Sequence, residues 1–167
     1  MKNPHSIESL DRTIERTNEW LVELNLLLGS DDAGDCYATL RSVLHALRDR
    51  LPIIAGVRLG AQLPTLLRGV YYEGWQPDRG HVHTRTLGEF LALVERDAPH
   101  GGASCAEDKV RAVFLLLGSH LEPAELDRLK GALPEPVREL FRDARTGVVS
   151  ASPRSSIRHV SPSVKSA

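Results

Sequence analysis

The fold is decided by Leu40-Arg41-Ser42-Val43-Leu44-His45-Ala46-Leu47-Arg48-Asp49-Arg50-Leu51-Pro52 and by what stands seventy residues further on, Val110-Arg111-Ala112-Val113-Phe114-Leu115-Leu116-Leu117-Gly118-Ser119-His120-Leu121. Laid one over the other without gaps, the two stretches match arginine to arginine at Arg41 and Arg111 and apolar to apolar at Val43, Leu44, Leu47 and Leu51. The same offset carries Trp20 onto Phe90, Arg58-Leu59 onto Arg128-Leu129, Leu63-Pro64 onto Leu133-Pro134, Arg68 onto Arg138 and Tyr71 onto Phe141. Self-similarity at a fixed period signals a repeated supersecondary unit whose copies bury each other's apolar faces. The repeated positions are packing and turn positions, so the repeat speaks to architecture and not to chemistry.

Working outward, residues 6–28 read as one long amphipathic helix. Ile7, Leu10, Ile14, Thr17, Leu21, Leu24 and Leu28 recur at spacings of three and four on one face, with Ser6 as N-cap and Gly29 as stop. The turns before the repeat are expected to run past the body. A second helix spans about 32–51, with Asp31, Asp32 and Asp35 at its positive end and Arg48 and Arg50 at its negative end. Pro52 ends it. Two short helices follow, 53–62 and about 65–72, joined at an angle at Leu63-Pro64. Residues 73–85 hold Gly74, Pro77 and Gly80 without periodicity and form the linker between copies. In the second copy Thr86-Leu87-Gly88-Glu89 and Ser104-Cys105-Ala106-Glu107 fit the capping box. A helix is expected over 106–120, Pro123 opens the next, and Pro134 restarts the chain as Pro64 does. The expectation is an all-α helical bundle of two tandem similar units, about 16–72 and 86–142, in one domain spanning 1–144. Residues 145–167 form a flexible Ser/Pro-rich tail, basic through Arg145, Arg154, Arg158 and Lys165.

Composition bounds the function classes. The chain has 167 residues, 41% hydrophobic and 26% charged, with a net charge of −1. That balance is ordinary for a globular protein and gives the body no bias toward nucleic acid. No apolar run approaches the roughly 20 residues that span a bilayer, and residues 1–10 lack a signal-peptide core. A cytoplasmic chain without a membrane partner is expected. Cys36 and Cys105 lack paired-ligand spacing and read as free thiols.

The string quoted above resembles a bacterial family catalogued as domain of unknown function 2267, as do Ala61-Gln62-Leu63-Pro64-Thr65-Leu66-Leu67-Arg68-Gly69-Val70-Tyr71-Tyr72-Glu73-Gly74-Trp75 and Asn18-Glu19-Trp20-Leu21. The resemblance covers about Thr13–Arg142. It implies an all-helical bacterial protein and carries over no activity, substrate or catalytic residue.

Candidate chemistry is sparse. His81-Val82-His83, with His100, is the most metal-like feature, but no helical His pair or neighbouring carboxylate accompanies it, and neither metal nor cofactor is expected. The three aspartates before the second helix suit capping better than catalysis. Arg68 and Arg138, each four residues after a Leu-Pro break, suit either an anion or acidic-peptide site or the satisfaction of helix-terminal carbonyls. Tyr72 and Trp75 have no repeat-imposed reason to be present and are candidates for a recognition surface. His45, Asp49 and Gln62 become Leu115, Ser119 and Ala132 in the second copy, the asymmetry that a site in the crevice between copies would leave. The leading expectation is a non-catalytic module that binds another protein or assembles with itself. An enzyme with a site in that crevice, and weak nucleic-acid binding through the tail, are the alternatives.

Overall fold

The computed structural model describes residues 7–79, 86–97 and 105–146, all in helices and short connections, with no strand among them. The helices are α1 (Glu8–Leu28), α2 (Ala33–Arg50), α3 (Ile53–Gln62), α4 (Thr65–Tyr72), α5 (Leu87–Asp97), α6 (Ala106–His120), α7 (Pro123–Ala132) and α8 (Glu135–Thr146). A single 3-10 turn, Pro77–Arg79, lies in the connection after α4.

Local chemistry sets most boundaries. Gly29 takes a left-handed φ of 59°. Its amide reaches Leu26 O and that of Ser30 reaches Asn25 O, the paired bonds that close a helix on glycine. Asp32 caps α2, its Oδ1 accepting from the amides of Gly34 (2.8 Å) and Asp35 (3.1 Å). The Thr86/Glu89 capping box forms reciprocally, each side chain meeting the other residue's amide at 3.2 Å. Ser104 of the second expected box lies outside the described residues. Cys105 occupies the N-cap of α6, its Sγ lies 3.1 Å from Asp108 Oδ2, and Glu107 turns to Arg111 one helical turn on. The N-cap of α1 is Ile7, and Ser6 lies outside the described residues. So do the histidines 81, 83 and 100, residues 80–85 of the linker and 147–167 of the tail. Helix α8 runs two residues into the segment expected to be tail.

Helices α2 and α6 form the centre. Leu40, Val43, Leu44 and Leu47 on one and Val110, Val113, Phe114, Leu116 and Leu117 on the other are fully or almost fully buried. Both α1 and α5 pack on both central helices, α4 covers α2, α8 covers α6, and α3 lies against α7. Phe114 and Phe141 stack at 3.8 Å between centroids, tying α8 to α6. One continuous cluster runs from Trp20 to Phe141, so the two halves share a core.

The stripe expected on α1 is only partly covered. Thr17 and Leu24 are buried and Leu21 and Leu28 half-buried, whereas Ile7, Leu10 and Ile14 stand 61%, 56% and 50% exposed.

Candidate functional site

The two Leu-Pro breaks explain the arginines that follow them. A helix leaves its last carbonyls without partners, and proline brings no amide to satisfy them. Arg68 fills that role at the end of α3. Its Nε donates to Gly60 O at 3.0 Å, and its Nη2 to Ala61 O at 3.2 Å and Leu63 O at 3.1 Å. Arg138 does the same more simply at the end of α7, Nη2 donating to Leu133 O at 3.0 Å. The two arginines sit at separate breaks and form no shared anion site.

His45 and Asp49 also belong to a helix terminus. His45 is 5% exposed, and its Nε2 lies 2.7 Å from Val70 O, the geometry of an Nε2–H donating to that carbonyl. Arg48, equally buried, donates from Nη1 to Tyr71 O (2.7 Å) and Glu73 O (2.8 Å) and from Nε to Asp49 (2.8 Å). Arg41 reaches the Glu73 carboxylate at 3.0 Å. Residues 41–49 of α2 thus close the end of α4. The asymmetry between the halves follows. Helix α4 stops at Tyr72 and exposes carbonyls, whereas α8 continues past Phe141 to Thr146. The positions seventy residues beyond His45 and Arg48 are Leu115 and Gly118, where no terminus needs closing. Burial also holds the His45 imidazole below its ordinary pKa, with Arg48 and Arg41 acting in the same direction.

Tyr72 and Trp75 form an aromatic ladder with Tyr71. Tyr71 and Tyr72 meet edge-on at 5.0 Å, and Tyr72 and Trp75 lie at 5.3 Å. Two glycines of α3 seat the tyrosines. Tyr71 Oη donates to Gly56 O at 2.9 Å, and the Tyr72 phenol occupies the space that a Cβ on Gly60 would need. Both Tyr72 and Trp75 are half-buried. This ladder fastens α4 and the chain after it to α3.

Gln62 lies elsewhere, at the junction of two hollows. The first is an apolar groove of about 260 Å³ between α3 and α7, with Ala55, Leu59, Leu121 and Leu129 along it and Arg58, Arg128 and Glu125 at its polar margin. Arg128 pairs with Glu125, and Arg58 makes no ion pair among the described residues. Retained arginines therefore do come together, but they are Arg58 and Arg128. The second is a polar cleft of about 470 Å³ between α1 and the α3–α4 break, with Trp20 and His120 on its wall. Those two rings stack at 4.4 Å, and His120 Nε2 faces Glu23 Oε2 at 2.6 Å.

Of His45, Asp49 and Gln62, only Gln62 reaches the crevice between α3 and α7, and the three do not converge. Reading the sequence missed Arg48, whose loss to glycine seventy residues on was the available signal. It also missed Arg12 and Arg16, which line the polar cleft and carry no local signature. Among the described residues no group of three or more His, Cys, Asp or Glu is placed to hold a metal ion. No helix among them is long and apolar enough to cross a membrane.

Compared with known families, the chain matches the model of an uncharacterized conserved protein family, DUF2267, over residues 17–140. No curated protein matches it significantly.

Proposed function

We propose that this chain, which belongs to the DUF2267 family, is a non-catalytic assembly module whose α3/α7 groove receives the uncovered edge of α1 from a second copy. The observation that carries this reading is the uncovered stripe itself. Ile7, Leu10 and Ile14 continue the line that buries Thr17 and Leu24, yet they stay half or more exposed and lie outside the core cluster. An apolar edge at i, i+3 and i+7 is the side of a helix that docks into a groove. The groove offers an apolar floor of fitting kind, flanked by Ile54 at 69% exposure and Val57 at 45%. Charge adds to this: Asp11 and Glu15 stand beside the edge and Arg58 at the groove, while Glu8 is held by Arg12 and Arg128 by Glu125.

Covering the half of these three aliphatic side chains that is still exposed contributes about 1–1.5 kcal/mol each, offset by the freedom lost on association. Weak, reversible self-association is the expected outcome. The polar groups that a catalytic reading would need are already engaged, His45 and Arg48 with carbonyls and Asp49 with Arg48.

The same reading takes the body as two tandem units, about 16–72 and 86–142. What supports it is the packing. Exchanging α1 with α5, α2 with α6, α3 with α7 and α4 with α8 carries each substantial helix–helix contact onto another such contact, and carries α2·α6 and α3·α7 onto themselves. The α3/α7 groove then lies where the two units face each other, with Arg58 opposite Arg128 and Leu59 opposite Leu129.

Sedimentation equilibrium tests the proposal. The apparent mass should rise with concentration for the native chain and stay at one copy for Leu10→Asp, with helicity by circular dichroism unchanged. A native chain that remains a monomer throughout contradicts it.

A further inference from the structure

We infer that the polar cleft between α1 and the α3–α4 break binds the phosphate group of a small phosphate monoester. The cleft, at about 470 Å³, has the size of a small-molecule site, for which about 300–1,000 Å³ is typical. Its arginines come from two parts of the chain, Arg12 and Arg16 on α1 and Arg68 on α4, and His120 at the end of α6 joins the lining. No carboxylate lines it.

The balance of charge inside the cleft is what matters. Arg12 is held by Glu8, and His120 faces Glu23. Arg16 makes no ion pair or hydrogen bond among the described residues. Arg68 bonds only neutral carbonyls, through Nε and Nη2, which leaves both protons of its Nη1 without a partner among the described residues. Two positive charges therefore remain uncompensated in one concave space, matching the two negative charges of a phosphate monoester near neutral pH.

The arrangement is also prepared in advance. Three carbonyls fix the Arg68 guanidinium before any ligand arrives, so little side-chain freedom is lost on binding. Arg16 keeps its whole guanidinium fork for two phosphate oxygens, and Arg68 adds a charge-assisted contact from Nη1. Gln62 and Thr65, from the α3–α4 break itself, add neutral polar groups to the lining. The start of α4, which no side chain caps, borders the same space and adds its positive end to the field. Trp20, at 5% exposure, closes the floor. The cleft therefore fits a head group better than an extended chain.

The test uses the full chain carrying Trp75→Phe, so that Trp20 is the sole fluorophore of its kind. Inorganic phosphate and phenyl phosphate are titrated by fluorescence and by calorimetry at constant ionic strength, with sodium chloride as the reference. Both phosphates should bind saturably and change the Trp20 emission. Arg16→Ala should weaken each by about tenfold, the effect of losing one charge-assisted contact, while leaving thermal stability unchanged, because Arg16 is exposed and holds nothing in place. Three results overturn the inference. These are no saturable binding beyond chloride, binding unaltered by Arg16→Ala, or a phosphoserine peptide binding more than about tenfold tighter than phenyl phosphate, which assigns the cleft to a macromolecular ligand instead.

Discussion

The Arg48 guanidinium donates to the Tyr71 carbonyl at 2.7 Å, joining the middle of the bundle to the end of a helix eight residues long. An isolated helix that short is not stable in water. It persists because its apolar face is buried, with Leu67 and Tyr71 fully inaccessible, and because α2 supplies the donors that its last carbonyls need. Replacing Arg48 by methionine keeps much of the stem but leaves the carbonyls of Tyr71 and Glu73 and the Asp49 carboxylate without that partner. The expected cost is about 2–4 kcal/mol, measured by urea unfolding. Arg138→Ala removes one part-buried bond and should cost about 1 kcal/mol.

His45 makes stability depend on pH in a defined direction. Burial lowers its pKa from the ordinary 6.5, so the unfolded chain takes up the proton first. As pH falls through 6.5 the unfolded state binds more protons than the folded state, and stability drops. Above that value the contribution is fully present. Asp97, held below its ordinary 3.8 mainly by its hydrogen bond from Arg96, acts only in a more acidic window. Urea midpoints for the native chain should therefore fall between about pH 7 and pH 5, and His45→Gln should flatten that part of the curve.

Gly60 and Tyr72 offer a change of sign. A Cβ on Gly60 would come within 2.7 Å of Tyr72 Cζ, so Gly60→Ala forces the ring aside. Overpacking of this kind costs about 1–3 kcal/mol, only partly offset by the gain of about 1 kcal/mol from placing alanine in a helix. In a Tyr72→Ala background the obstruction is gone, and Gly60→Ala should stabilise by a fraction of that propensity gain. A double-mutant cycle by thermal or urea unfolding reads both signs.

Much of the framework was legible from local rules. The bounds of α3 and α6 follow from proline placement and helical periodicity, and the Thr86/Glu89 box from its spacing alone. Glu107, expected to close a box with Ser104, pairs instead with Arg111 one turn on, and Ser104 lies outside the described residues. The roles of Arg68 and Arg138 were open between anion and carbonyl. The break places each guanidinium back over the helix it follows, where it donates to carbonyls, and at Arg68 this still leaves Nη1 for an anion. His45 and Asp49 stood out by asymmetry, but the cause is long-range: α4 stops where α8 continues. The polar cleft was invisible because Arg16 on α1 and Arg68 on α4 meet only when the bundle closes.

The claim that a second copy supplies its α1 edge to the α3/α7 groove is tested most directly by complementation. Leu10→Asp disables the edge and leaves the groove intact, and Ile54→Asp does the reverse. Both residues are more than half exposed, so neither change should disturb the core. Each variant alone should sediment as a monomer, and an equimolar mixture should associate one to one through the single edge and single groove left intact. A mixture that stays monomeric, or an Ile54→Asp chain that self-associates as the native one does, would contradict the account.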